Sequence, residues 1–122
     1  MPLRTLTIEE AARKLGDKEI SARELAEEHL QAIEEHNPSL NAYLEVFDDV
    51  ITQAEAADAR IAQGESGPLT GIPLAIKDNI LIAGRRVSAG SKILDGYTGS
   101  YDATVVSRLK KAGAVLLGRT NM

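Results

Sequence analysis

Apolar positions recur at helical spacing through the first half of this chain and gather into short unbroken runs in the second. Thr7-Ile8-Glu9-Glu10 is a capping box, with the Thr7 hydroxyl and the Glu10 carboxylate each meeting a free amide. It predicts a short helix to Leu15 that stops at Gly16. Ser21-Ala22-Arg23-Glu24 repeats the box. The helix after it carries Ala22, Leu25, Ala26, His29, Leu30 and Ile33 on one stripe and is expected to stop at Asn37-Pro38. Leu40, Ala42, Leu44 and Val46 alternate with Asn41, Tyr43 and Glu45, which predicts an extended segment. Asp48 or Asp49 then starts a third helix, with Val50, Ile51, Ala54, Ala57 and Ile61 inward and an end at Gly64.

Glu65-Ser66-Gly67-Pro68 is a turn and the best internal boundary, dividing a helical segment (1–66) from the start of an α/β core (67–122). Ile72 to Ile76 lacks polar alternation, the pattern of a strand buried on both faces. Residues 83–101 are rich in glycine and serine, a loop with room for one helical turn at Ser91–Leu94. Asp102 is placed to cap a helix from Ala103 to Lys111, which Gly113 ends. Ala114-Val115-Leu116-Leu117 is a second buried-strand candidate. Strand, helix and strand make a βαβ unit with parallel strands. Two such strands leave a sheet with open edges, which points to a piece of a larger α/β enzyme.

Composition narrows the chemistry. With 43% apolar residues, one phenylalanine and three tyrosines, the core must be mostly aliphatic. Cysteine is absent, which excludes disulfides, a thiol nucleophile and thiolate metal sites. The first residues are not a signal peptide, and no apolar run approaches the roughly 18–20 residues of a membrane span. A cytoplasmic protein with no membrane contact is expected. Residues 1–66 carry a net charge of −9 and residues 67–122 a net +5. The acids fit solvated helix faces, and eight scattered bases make a weak nucleic-acid signal. His29 and His36 share a helix without companions at metal-ligand spacing, and Glu55 and Asp58 read as solvated helix positions.

The candidate chemistry centres on Lys77, at the end of Leu74-Ala75-Ile76. It either snorkels to water along its own stem or is held as a general base for a serine hydroxyl. Asp78 has three open roles: neutralising Lys77, orienting a hydroxyl, or capping a turn. Ser88-Ala89-Gly90-Ser91 is an ordinary loop or a segment whose backbone amides face a substrate. No Gly-rich nucleotide fingerprint points to a cofactor.

Gly71-Ile72-Pro73-Leu74-Ala75-Ile76-Lys77-Asp78-Asn79 resembles the amidase signature family, serine amidohydrolases with a Ser–cis-Ser–Lys triad. The resemblance continues in Ser21–Leu25, Asn41-Ala42-Tyr43, Ser88–Leu94, Tyr101–Val106 and Gly118–Met122, where the family commonly has lysine in place of Arg119. It is greatest to the branch serving tRNA-dependent amidation, in which one component of a complex hydrolyses glutamine. The resemblance implies an α/β/α sandwich with a mixed sheet. It makes Lys77 the triad base, acting through a bridging serine on a nucleophilic one. It also implies B and C subunits as partners, tRNA contacted mainly through them, and ATP with Mg2+ on the partner rather than here. Ser88 and Ser91 are not the triad serines, and no residue of this chain matches those two. These 122 residues are therefore expected to be inactive alone, as part of a glutaminase. The alternatives are part of a stand-alone amidase or a non-catalytic assembly module.

Overall fold

The computed structural model describes residues 3–94 and 96–121. A 3-10 turn at Leu3–Thr5 precedes helix α1 (Ile8–Gly16) and helix α2 (Ala22–Leu40). Strand β1 (Tyr43–Val46), helix α3 (Val50–Ala62), strand β2 (Pro73–Lys77), helix α4 (Thr104–Lys111) and strand β3 (Val115–Thr120) follow. The sheet is mixed, in the order β1-β3-β2. β3 runs parallel to β2 and antiparallel to β1. β2, α4 and β3 form the expected βαβ unit, and the class is the expected α/β.

Helix starts follow their caps. The Thr7 capping box is complete, with the Glu10 amide 3.1 Å from Thr7 Oγ1 and the Thr7 amide 3.3 Å from Glu10 Oε1. At α2 the Ser21 hydroxyl accepts from the Glu24 amide at 3.0 Å and donates to Glu24 Oε1 at 3.2 Å, and the next two amides are capped from another helix. Asp58 of α3 accepts from the Ala22 amide at 2.7 Å and the Arg23 amide at 3.2 Å. Asp58 is thus a half-buried cap for another helix, not a solvated face residue.

Four local expectations need correction. Pro38 does not stop α2, which closes at Asn41 with a left-handed φ of 51°. Pro38 falls in the exposed last turn, where water can take the carbonyl left without a donor. Asn37 instead clamps the start of β1, accepting from the Tyr43 amide (2.8 Å) and donating to the Tyr43 carbonyl (3.1 Å). β2 is not buried on both faces: it lies at one side of the sheet, and Ala75 and Lys77 are exposed while Ile76 is buried. Ser91–Leu94 is a bend rather than a helical turn. Asp102 does not cap α4, because its carboxylate accepts from the Ala83 amide (2.8 Å) and from Lys110 Nζ (3.0 Å).

The core joins both sides of the turn at 65–68. Ala11, Leu15, Leu25, Val50, Ala54 and Ile61 pack in one cluster with Ile76, Val106, Val115, Leu116 and Leu117. β3 is buried from Val115 to Gly118, as its unbroken apolar run predicts. Gly118 is required there for space: a Cβ would stand 2.1 Å from the Glu45 carbonyl oxygen of β1. Further along the same edge of β3, where β1 gives way to α3, Gln53 substitutes for a strand. It donates to the Leu116 carbonyl (3.0 Å) and accepts from the Leu116 amide (2.8 Å).

Candidate functional site

The approach to the lysine strand is built by Thr70 and Gly71. Thr70, buried, donates its hydroxyl to the Ala112 carbonyl at 2.8 Å, and the Gly71 amide donates to Gly113 at 2.9 Å. Both bonds tie the start of β2 to the end of α4. Gly71 has φ +82°, and a Cβ there would lie 3.0 Å from the Ala22 Cβ and 3.2 Å from Leu15 Cδ1. A glycine meets both demands at once.

Lys77 ends β2 beside Thr120 near the end of β3. Two parallel strands thus finish side by side, the place where open α/β sheets expose functional groups. The Lys77 side chain is exposed, and among the described residues its ammonium has no hydrogen-bond or ion-pair partner.

The next residue is its opposite. The Asp78 side chain is fully buried and takes four donors. They are the Ser88 hydroxyl, the Ser88 amide at 3.1 Å, the Gly90 amide at 3.2 Å and Arg119 Nη1 at 2.8 Å. Burial alone would raise the Asp78 pKa. The bonds from Ser88, Arg119 and Gly90 outweigh it and hold the carboxyl at about 2. Of the three roles open to Asp78, neutralising Lys77 is excluded because its charge is committed to Arg119. It does orient a hydroxyl, that of Ser88, and a turn follows in which the Ile80 amide donates to the Lys77 carbonyl at 3.0 Å.

Asp78 also fixes the 88–91 segment. The Ala89 amide donates to the Asp78 carbonyl at 3.0 Å, and the Ser91 amide to the Ser88 carbonyl at 2.8 Å. All four amides of Ser88-Ala89-Gly90-Ser91 are therefore used internally. The reading in which they face a substrate is overturned: this loop is a brace behind Lys77.

Arg119 is the residue that sequence reasoning missed. Its side chain is only 11% exposed and its guanidinium lies between two acids, with Nε 2.9 Å from Glu45 Oε1 and Nη1 2.8 Å from Asp78 Oδ1. Burial lowers its pKa, but the hydrogen bonds and charges of Asp78 and Glu45 prevail and raise it, so the side chain stays a cation. The signal was available: a charged residue inside the end of a buried apolar strand needs a partner. Which partner it takes was not, because Glu45 and Asp78 lie far away in the chain.

Other candidates lie elsewhere. A hollow of about 360 Å³ among α1, α2 and α3 is lined by Leu15, Ser21, Glu24, Asp58 and Ile61, none of them from the sheet. His29 and His36 line another, of about 270 Å³, with Arg4 and Tyr43. Half-burial of His29 lowers its pKa, with Glu28 opposing and Arg4 reinforcing that effect. Among the described residues no three His, Asp or Glu side chains are grouped to hold a metal ion, and no helix is long and apolar enough to cross a membrane.

Comparison with known proteins gives a consistent picture. Residues 24–122 match the family model described as Amidase. The chain is 52% identical over 118 residues to the A subunit of glutamyl-tRNA(Gln) amidotransferase from Pseudomonas syringae pv. syringae, covering 96% of this chain and 24% of that protein. The corresponding protein of Coxiella burnetii (strain RSA 493 / Nine Mile phase I) is 49% identical over 117 residues, with 95% and 24% covered. The chain thus spans about a quarter of the length of these relatives. Among solved structures, the peptide amidase of Stenotrophomonas maltophilia superposes with a TM-score of 0.92 at 36% identity, over 99% of this chain and 26% of that one. A fatty acid amide hydrolase gives 0.90 at 26% identity, over 97% and 21%. Met122, the last residue of the matching stretch, lies outside the described residues.

Proposed function

This chain belongs to the amidase family, and we propose that it carries the catalytic lysine of a glutamine-hydrolysing subunit that supplies ammonia for tRNA-dependent amidation. The observation behind this is the contrast at the end of β2. Asp78 is buried and fully bonded, while Lys77 beside it is exposed and has no counter-ion among the described residues. A lysine held by a rigid strand end, and not paired with the acid next to it, is available to a hydroxyl brought against it.

In this reading Lys77 acts as the neutral amine and accepts a proton from a bridging serine, which takes one from the nucleophilic serine. The nucleophile attacks the side-chain amide carbon of glutamine, and backbone amides stabilise the oxyanion. The proton held by Lys77 returns through the same relay to the leaving nitrogen, and ammonia departs. Water then releases glutamate from the acyl enzyme. Both serines belong to the full-length protein and match no residue here, so the 122 residues alone leave glutamine unhydrolysed.

Identity of 49–52% to the amidotransferase relatives, against 36% to the peptide amidase, favours glutamine over other amides. A B subunit would use the ammonia, with ATP and Mg2+ in its own site, to amidate misacylated glutamyl- or aspartyl-tRNA. A small C subunit would stabilise the pair, tRNA would be contacted mainly through the partners, and the complex would be cytoplasmic. The second reading, a stand-alone amidase, draws on the superposition with the peptide amidase. Ammonia release by the full-length protein from glutamine and from peptide amides, with and without partner subunits, separates the two. Glutamine hydrolysis that rises with the partners is expected. Hydrolysis of peptide amides with none of glutamine would overturn the assignment.

A further inference from the structure

We propose that Arg119 is a positioning residue for Lys77, acting through Asp78 and the end of β2; this rests on the reading of Lys77 as the base. Three strands contribute to one row. Arg119 on β3 stands beside Glu45 on β1 and Ile76 on β2 in the pairing register. Successive residues of a strand alternate faces, so Arg119, Glu45 and Ile76 share one face while Lys77 and Thr120 occupy the other. Asp78 returns to the Arg119 face just beyond the strand. There its carboxylate meets Arg119 Nη1 at 2.8 Å, and its amide donates to the Thr120 carbonyl at 3.0 Å.

Lys77 therefore sits between two anchored neighbours. Ile76 is in the core, and Asp78 is locked into an ion pair on the far face. The guanidinium uses separate edges for its two acids, Nε for Glu45 and Nη1 for Asp78, so one side chain ties the ends of all three strands together. Lys77 has a flexible stem, and among the described residues no bond aims its ammonium. The direction of its Cα–Cβ bond is set by the backbone on either side, and catalysis is sensitive to misplacement of a group by about 1 Å. Without Arg119, the buried Asp78 carboxylate keeps only uncharged donors, and the strand end that carries Lys77 loses its side-chain tie to Glu45 and β3 and is held there by backbone bonds alone.

The geometry separates this role from substrate binding. Arg119 lies on the face away from Lys77, so its loss should lower turnover and leave affinity in place. The test is glutamine hydrolysis by the full-length protein with its partner subunits, carrying Arg119→Met, Arg119→Gln, Arg119→Lys or Lys77→Ala. Arg119→Met is expected to lower kcat per folded molecule about 10- to 100-fold with KM within about twofold. Arg119→Lys, which restores a cation beside Asp78, should recover most of the loss. Arg119→Gln keeps a donor without charge and should fall between them; it carries the test if the Met variant does not fold. Wild-type kcat in a folded Met or Gln variant overturns the proposal, and so does a loss that only tracks the folded fraction. Lys77→Ala distinguishes the two levels. If it is active, the base assignment fails; if it is inactive while Arg119→Met turns over normally, only the positioning role fails.

Discussion

Arg119 donates to Asp78 at 2.8 Å across the ends of two parallel strands, and this pair closes the site on the side away from Lys77. It places a full negative charge one residue from the lysine and spends that charge elsewhere. The result is a lysine that owes its position to a neighbour it does not touch through its side chain.

The Ser88 hydroxyl is one of four donors to the buried Asp78 carboxylate. Ser88→Ala leaves one acceptor site of a charged group unfilled where water has little access. A loss of about 1.5–3 kcal/mol is expected, measured by denaturant unfolding of the full-length protein.

The low pKa of Asp78 has a consequence for stability with a definite sign. Its folded value of about 2 lies below the roughly 3.9 of an unfolded aspartate. The carboxylate therefore contributes its full stabilisation above about pH 4, and that contribution is lost as pH falls from about 4 toward 2. Its size is on the order of 2–3 kcal/mol. Unfolding measured from pH 6 down to pH 2 should show this decline in the wild type. An Asp78→Asn variant, less stable throughout the upper range, should lack that part of the slope.

Asp58 caps a helix to which it does not belong. Asp58→Ala frees the Ala22 and Arg23 amides at the start of α2. Loss of a carboxylate cap costs about 0.5–2 kcal/mol, read as a lower Tm. Asp58→Asn, which keeps one of the two acceptor oxygens, should recover only part of it.

The local patterns were legible and the long-range polar contacts were not. The Thr7 box, the aliphatic stripe of α2 and the unbroken run of β3 each announce their element, because cap and periodicity are encoded within a few residues. Pro38 misled because a proline's effect depends on which turn it enters, and here the turn is the last one. β2 misled because an apolar run shows what a strand tolerates, not how many neighbours cover it. Lys77 could be singled out from its setting among apolar residues. Its support could not: Asp78 meets Ser88 ten positions away and Arg119 forty-one positions away, and only folding brings them together. Arg119 stands where the family commonly has lysine, and its two-edged contact is a property of the guanidinium that chain position does not reveal.

The central claim is that Lys77 moves the proton. Its most direct test is the single-turnover rate of glutamine hydrolysis by full-length Lys77→Ala with its partner subunits, compared with wild type at matched folded concentration. A loss of about 10²–10⁴-fold with glutamine still bound is expected for removal of a general base. Wild-type turnover in that variant would contradict the role.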